Sequence, residues 1–176
     1  MTIKMICAVT TGGFIGKDGD LIYKLKKDLV NFKKLTTNQL VLMGRSTWES
    51  LPRKPLPQRV NVVLTSKLSY KVPPGVFLAH SKEQILNHHL ETGKNTEDKD
   101  LWIIGGNKLY CEFLDYAEEV YLTRVKDNIT IGDVTFPLAE MEELFYLVKN
   151  EAEYHEEDGI EFTFEKWIRK DIKDLS

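Results

Sequence analysis

Five short runs rich in apolar and β-branched residues set the tightest limit on how this chain can fold: IKMICAV (3–9), LVLM (40–43), VNVVLT (60–65), VFLA (76–79) and LWII (101–104). Helical patterns follow several of them, over 45–51, 82–90 and 107–116, each opened by Gly, Ser, Thr or Asn. A strand apolar on both sides has no wet face and must be covered twice, and alternation with helices implies a mostly parallel sheet. After residue 118 the pattern changes. EVYLTRV (119–125), LFYLVKNEAEY (144–154) and IEFTFEKWI (160–168) read as strands without helices between them, and the turn HEEDG joins the last two into an antiparallel edge hairpin. The expectation is a single-domain α/β fold: a mixed, mostly parallel central sheet of about eight strands, an antiparallel C-terminal hairpin and helices on both faces. Prolines at 52–57 and 73–74 mark loops, and GKNTEDKD (93–100) is a charged connector. The domain is expected to span 1–170, followed by a loose polar tail at 171–176.

Composition narrows the function classes. With 176 residues, 42% of them hydrophobic and 29% charged, the chain can bury one sizeable core. The balance of 24 basic to 27 acidic residues gives no field that would draw nucleic acid or an anionic membrane. No apolar run approaches the roughly 18 residues of a membrane span, and the N-terminal stretch lacks a signal-peptide pattern, so a cytoplasmic protein is expected. Cys7 and Cys111 match neither a disulfide framework nor a metal site; both are read as reduced core residues, and no metal is expected.

The segment LIYKLKKDLVNFKKL (21–35) places one acid among five lysines. On a helix at about 100° per residue, Leu25, Leu29, Phe32 and Leu35 share one arc roughly 120° wide, and Asp28 lies inside it. Lys26, Lys27, Lys33 and Lys34 lie outside. A carboxylate in apolar surroundings must be paired, hydrogen-bonded or protonated. Two readings are open from periodicity: an acid favouring the helix dipole, or an acid kept for a partner.

Two strand-to-helix junctions carry glycine. In LVLMGRSTWES (40–50), Gly44 precedes Arg45, Ser46 and Thr47; in LWIIGGNKLY (101–110), Gly105-Gly106 precedes Asn107 and Lys108. Free N–H groups at a helix start can cradle phosphate, and glycine lets backbone approach a ligand closely; a plain capped helix start is the alternative at each. Two such junctions in one sheet suit the two ends of a dinucleotide. Thr65 and Ser66 end a third strand at the same edge, and Arg59 sits at the rim, where it could meet a substrate carboxylate or water.

The order of ICAVTTGGFIG, an apolar-face Asp followed by Phe32, MGRSTWES, LPQR, VLTS, IIGGNKLY, VYLTR and GDVTFP resembles dihydrofolate reductase over roughly residues 3 to 168. The resemblance implies NADPH-dependent hydride transfer to dihydrofolate, with NADPH as cofactor, dihydrofolate and antifolates as ligands, and a monomer. It assigns Asp28 to the 2-amino group and N3 of the pterin, with Thr123 supporting it. Ile6, Leu29, Phe32, Leu51 and Ile104 would line the pocket, with Tyr110 at the border of substrate and cofactor. Arg59 would take the glutamate α-carboxylate, with Arg53 nearby. For the cofactor it assigns Ala8, Ile15 and Gly16 to the nicotinamide region, and Gly44, Ser46, Thr47 and Gly105 through Tyr110, including Asn107 and Leu109, to the pyrophosphate and its neighbours. Arg45, Thr65, Ser66 and Lys108 fall around the adenosine phosphate, which favours NADPH over NADH.

His80 matches a position that touches adenine in relatives, although with Ser81 beside it as a helix cap it reads as a surface histidine. None of the four histidines falls in these motifs. Many relatives carry Pro-Trp where this chain has Ile22-Tyr23, and a proline in place of Lys26. Leu21 would be the apolar lid over the nicotinamide, and Tyr23 would offer a hydroxyl where an indole N–H is usual; the loop's closure and proton path are what this exchange affects. Two rival readings are a same-fold reductase of a ribosylated aminopyrimidine, against which Asp28, Phe32 and Arg59 weigh, and a catalytically weak folate- and NADPH-binding or structural protein.

Overall fold

The structure is a computed structural model that describes residues 2–91 and 99–171. In chain order the elements are β1 (Ile3–Thr10), β2 (Phe14–Lys17), β3 (Asp20–Leu21), α1 (Lys26–Thr36), β4 (Leu40–Gly44), α2 (Arg45–Ser50), β5 (Val60–Leu64), β6 (Val76–Ala79), α3 (Lys82–Glu91), β7 (Leu101–Ile103), α4 (Asn107–Phe113), β8 (Glu119–Val125), β9 (Val134–Thr135), α5 (Leu138–Leu144), β10 (Phe145–Leu147), β11 (Glu153–Glu157) and β12 (Ile160–Arg169). The central sheet runs β10-β12-β8-β1-β7-β4-β5-β6, and β11 pairs with β12 off that path. From β8 to β6 every pairing is parallel; β12 pairs antiparallel with β8, β10 and β11. The mixed, mostly parallel sheet expected from the apolar runs is therefore present.

Successive side chains point to opposite faces, and in the central strands β1, β4 and β7 both faces are buried. Met5, Cys7, Val9, Leu42 and Ile103 pack with Ile85 of α3, Leu109 and Phe113 of α4 and Met141 of α5. Ile6, Val41, Met43, Val63 and Trp102 pack on the other side with Phe32 and Leu35 of α1 and Trp48 of α2. Phe113, Phe145 and Phe162 are buried completely; truncating such a ring typically costs about 3–5 kcal/mol.

Three expectations need correction. The stretch 144–154 is not one strand: it holds the end of α5, the short β10, a 3-10 turn at Lys149–Glu151 and β11. Helix α5 escapes the pattern because it buries only Met141 and is otherwise acidic and short. The hairpin turn is tighter than HEEDG, since His155–Glu157 remain in β11 and only Asp158 and Gly159 turn, both with positive φ. Cys111 is exposed rather than in the core, because the buried face of α4 is Leu109, Tyr110 and Phe113. A second small sheet, β3-β2-β9, also forms from pieces too short to show alternation. The connector expected at 93–100 falls largely outside the described residues, as does the tail beyond Asp171.

Candidate active site

The parallel strands β1, β7 and β4 end at one edge of the sheet, and α1 packs against the sheet through Phe32 and Leu35. Asp28 is the third residue of α1. Thr123 of β8 lies opposite Ala8 of β1, buried, and its Oγ1 donates to Asp28 Oδ1 at 2.5 Å. Burial pushes the Asp28 carboxyl above its ordinary range; the Thr123 hydrogen bond opposes this and the charge of Glu157 adds to it. The acid is thus half-buried and held by a hydroxyl. Ile6, Phe32, Leu51 and Ile104 belong to one apolar cluster on this face. Leu29 is 48% exposed at its border, so the arc drawn from periodicity is apolar but not fully buried. The buried residue at its end is Thr36, whose Oγ1 donates to the Phe32 carbonyl at 2.8 Å.

At the far end of the same helix, the Arg59 guanidinium is tied down. Its Nε donates to Pro57 O at 2.9 Å and one terminal nitrogen to Thr36 Oγ1 at 3.1 Å, with the group 5.7 Å from the Phe32 ring centroid. Asp28 and Phe32 are one turn apart, about 6 Å along the axis. The cleft therefore has an anionic end and a cationic end joined by apolar walls, which suits a flat molecule with donors at one side and a carboxylate at the other. Arg53 is exposed on the following loop.

The two glycine junctions meet. Gly44 N–H donates to Gly105 O at 2.8 Å, the Gly105-Gly106 peptide is cis, and a Cβ on Gly106 would stand 3.5 Å from Thr47 Oγ1. Gly105 has φ +111°, and a Cβ there would come within 3.2 Å of the Tyr110 ring and hydroxyl. Neither α2 nor α4 has a side-chain cap, so their leading N–H groups face this gap beside Ser46 and Thr47. A backbone cradle of this shape fits a pyrophosphate.

Around it, Arg45 is exposed and paired with Glu49 at 3.1 Å, Lys108 is exposed near Glu112 at 3.7 Å, and Ser66 is exposed. Asn107 donates to Thr135 O at 2.8 Å, which ties α4 to β9. Leu109 turns its side chain into the core. Thr65 is buried; its Oγ1 accepts the Lys67 N–H at 3.2 Å, and its carbonyl contacts His80 Nδ1 at 2.8 Å. Tyr110 is buried and donates to Ile6 O at 2.7 Å.

Loop geometry accounts for the unusual residues. Ala8, Ile15, Leu21, Ile22 and Tyr23 line a common small cavity. Gly16 O accepts the Asp133 N–H at 3.0 Å, and Asp133 Oδ2 accepts the Asp18 N–H at 2.9 Å. Leu21 is 48% exposed. The Tyr23 hydroxyl donates to Asp127 Oδ2 at 2.8 Å, and its ring joins Leu25, Val125 and Phe162. Asp127 Oδ1 in turn accepts the N–H groups of Ile129 and Thr130, and these bonds, with the Thr130 side chain first, hold its carboxyl below the usual range. Asp127 and Glu157 were missed from sequence because their partners lie 104 and about 130 residues away.

A family model described as dihydrofolate reductase matches residues 2–169. A dihydrofolate reductase of Staphylococcus aureus is 36% identical over 172 residues, covering 97% of this chain and 99% of that protein. The bifunctional dihydrofolate reductase-thymidylate synthase of Paramecium tetraurelia is 33% identical over 181 residues; the match takes in 99% of this chain but only 36% of that longer protein. Among solved structures, a dihydrofolate reductase from Enterococcus faecalis complexed with NADP(H) and RAB-propyl superposes with a TM-score of 0.84 at 28% identity, covering 97% of each chain. A full-length match of sequence and of fold converges on one group, and the chain belongs to the dihydrofolate reductase family.

Proposed function

We infer that this protein reduces 7,8-dihydrofolate to 5,6,7,8-tetrahydrofolate with NADPH, a step that feeds one-carbon and nucleotide biosynthesis. The observation that carries the site assignment is the half-buried Asp28, bonded to Thr123 and facing the apolar cleft that Arg59 closes. NADPH, when bound, supplies the hydride. The glycine cradle at 44 and 105–106, with Ser46, Thr47 and the start of α4, would hold its pyrophosphate; Arg45, Thr65, Ser66 and Lys108 would surround the 2′-phosphate; Ala8, Ile15 and Gly16 would border the nicotinamide.

Asp28 accepts from the 2-amino group and N3 of the substrate, fixes the ring, and favours protonation at N5 by a water admitted past the loop. Arg59 pairs with the glutamate carboxylate, with Arg53 beside it. Ile6, Leu29, Phe32, Leu51 and Ile104 exclude water along the ring system, with Tyr110 beneath, and Leu21 covers the reacting face while Tyr23 ties the loop to Asp127. No described helix is long and apolar enough to cross a membrane. The protein is further proposed to act as a cytoplasmic monomer on small molecules rather than nucleic acid, within one catalytic domain over 1–170.

The test follows NADPH oxidation with and without dihydrofolate, together with a methotrexate titration. Substrate-dependent oxidation abolished by stoichiometric inhibitor is expected. Tight inhibitor binding without turnover would instead make this a folate-binding protein of the same fold.

A further inference from the structure

Helix α1 starts without a cap of its own. Leu25 occupies the N-cap position and offers no acceptor to the free N–H groups of the first turn. The acceptor arrives from the hairpin near the end of the chain. Glu157, the last residue of β11, accepts the Lys26 N–H on Oε1 at 2.6 Å and the Lys27 N–H on Oε2 at 3.0 Å. The Lys27 ammonium reaches back to Glu156 O at 3.1 Å. Asp28 is the next residue, so the turn that carries it is gripped from below by Glu157, while its side chain is held from above by Thr123.

Both grips hang on one frame. Glu157 lies opposite Ile160 in the hairpin, and β12 continues along β8, where Phe164 faces Thr123 and Phe162 faces Val125. The hairpin tip and the threonine are therefore joined through one antiparallel ladder. We propose that Glu157 is a positioning residue for Asp28: from the β11–β12 hairpin it caps the helix that carries the acid and fixes the carboxylate against Thr123.

A second consequence is electrostatic. The groups that bear on Asp28 are Thr123 from β8, Cys7 from β1 and Tyr110 from α4, both neutral because burial pushes their protons on, and the Glu157 carboxylate from the hairpin. On α1 itself, Lys26 and Lys27 are exposed. Glu157 is the one anion in this set, and its own carboxyl is held low by the Lys27 and Lys26 N–H groups. Its negative charge favours the protonated form of Asp28.

The proposal rests on Asp28 being the acid of the substrate cleft, and its test separates the two. The Asp28 carboxyl is titrated by ¹³C NMR in the unliganded full chain for the parent, Glu157→Gln and Glu157→Ala, with Glu153→Gln as a charge-matched control at the other end of β11. In Glu157→Gln, which removes the charge and leaves an amide oxygen to accept at the helix start, Asp28 is expected to titrate at lower pH, and in the control it is not. In Glu157→Ala, KM for dihydrofolate is expected to rise about 3- to 10-fold, the scale of losing one helix cap, with KM for NADPH changed less than about twofold. An unchanged Asp28 titration in Glu157→Gln, or an equal loss for both ligands in Glu157→Ala, overturns the proposal. If Asp28→Asn keeps parent activity, the role of Asp28 falls, but the titration still decides the coupling to Glu157.

Discussion

Replacing Asp28 by Asn should make the protein more stable and less active at once. Asn is uncharged and nearly isosteric, and its Oδ1 can still accept the Thr123 hydroxyl that now donates to Asp28 at 2.5 Å. What disappears is a charge whose burial already pushes the carboxyl upward. The sign follows from linkage. A carboxyl raised above its unfolded value is cheapest to fold when protonated, so its contribution is best below the unfolded value and is lost as pH rises through the folded one. At neutral pH the parent therefore bears a desolvation cost that Asn avoids. Relieving such a functional-site cost commonly adds about 0.5–2 kcal/mol, and a domain of this size gains about 2–4 °C in Tm per kcal/mol.

Turnover should move the other way. Loss of the positioned acid is expected to lower kcat/KM for dihydrofolate by about 10²-fold or more, about 2.7 kcal/mol of transition-state stabilisation, with NADPH affinity nearly unchanged. Thermal scans from pH 5 to pH 8 and steady-state kinetics near neutrality check both arms, and the Tm gain should shrink toward the acidic end. A variant less stable at neutral pH, or one with parent-like kcat/KM, would refute the assignment.

Arg45→Ala should weaken NADPH far more than NADH, because a guanidinium suits the 2′-phosphate and the present Arg45–Glu49 pair is an exposed one of little structural worth; equal losses in paired fluorescence titrations would count against it. Tyr23→Phe should lower Tm by a few degrees, since it removes a hydroxyl bonded to an ionised partner, Asp127. The pH–rate profile of that variant should keep its shape, and a displaced limb would mean the hydroxyl serves proton delivery rather than the loop.

What could be read from the sequence was whatever repeats at short range. Apolar runs gave the parallel strands because both faces of the central strands β1, β4 and β7 are buried, and the glycine at 105 marked the cradle because its positive φ and the Tyr110 ring beside it leave no room for a side chain. Helix α5 and the small sheet were not legible, as one buried methionine or two to four paired residues leave no period to detect. Cys111 was misplaced for a related reason: an apolar neighbourhood in sequence does not say which side of a helix a residue occupies.

The site divides along the same line. Residues expected to face ligands sit at strand ends and helix starts, where glycine, hydroxyl and charge leave a local signature. Residues that hold them in place face protein, and any acceptor that reaches the right N–H will serve. Nothing in EEDG marks Glu157 as the cap of a helix about 130 residues earlier, and nothing in KDN marks Asp127 as the partner of Tyr23. The Ile22-Tyr23 exchange shows the consequence. Read from sequence, the tyrosine is a replacement hydroxyl at the reacting centre; in the fold, that hydroxyl is already spent on Asp127, and the loop is fixed from the strand-β8 side. A hydrogen bond used for anchoring is not free for proton delivery, so the proton path in this chain should be sought in water reaching N5 past Leu21 rather than in Tyr23 itself.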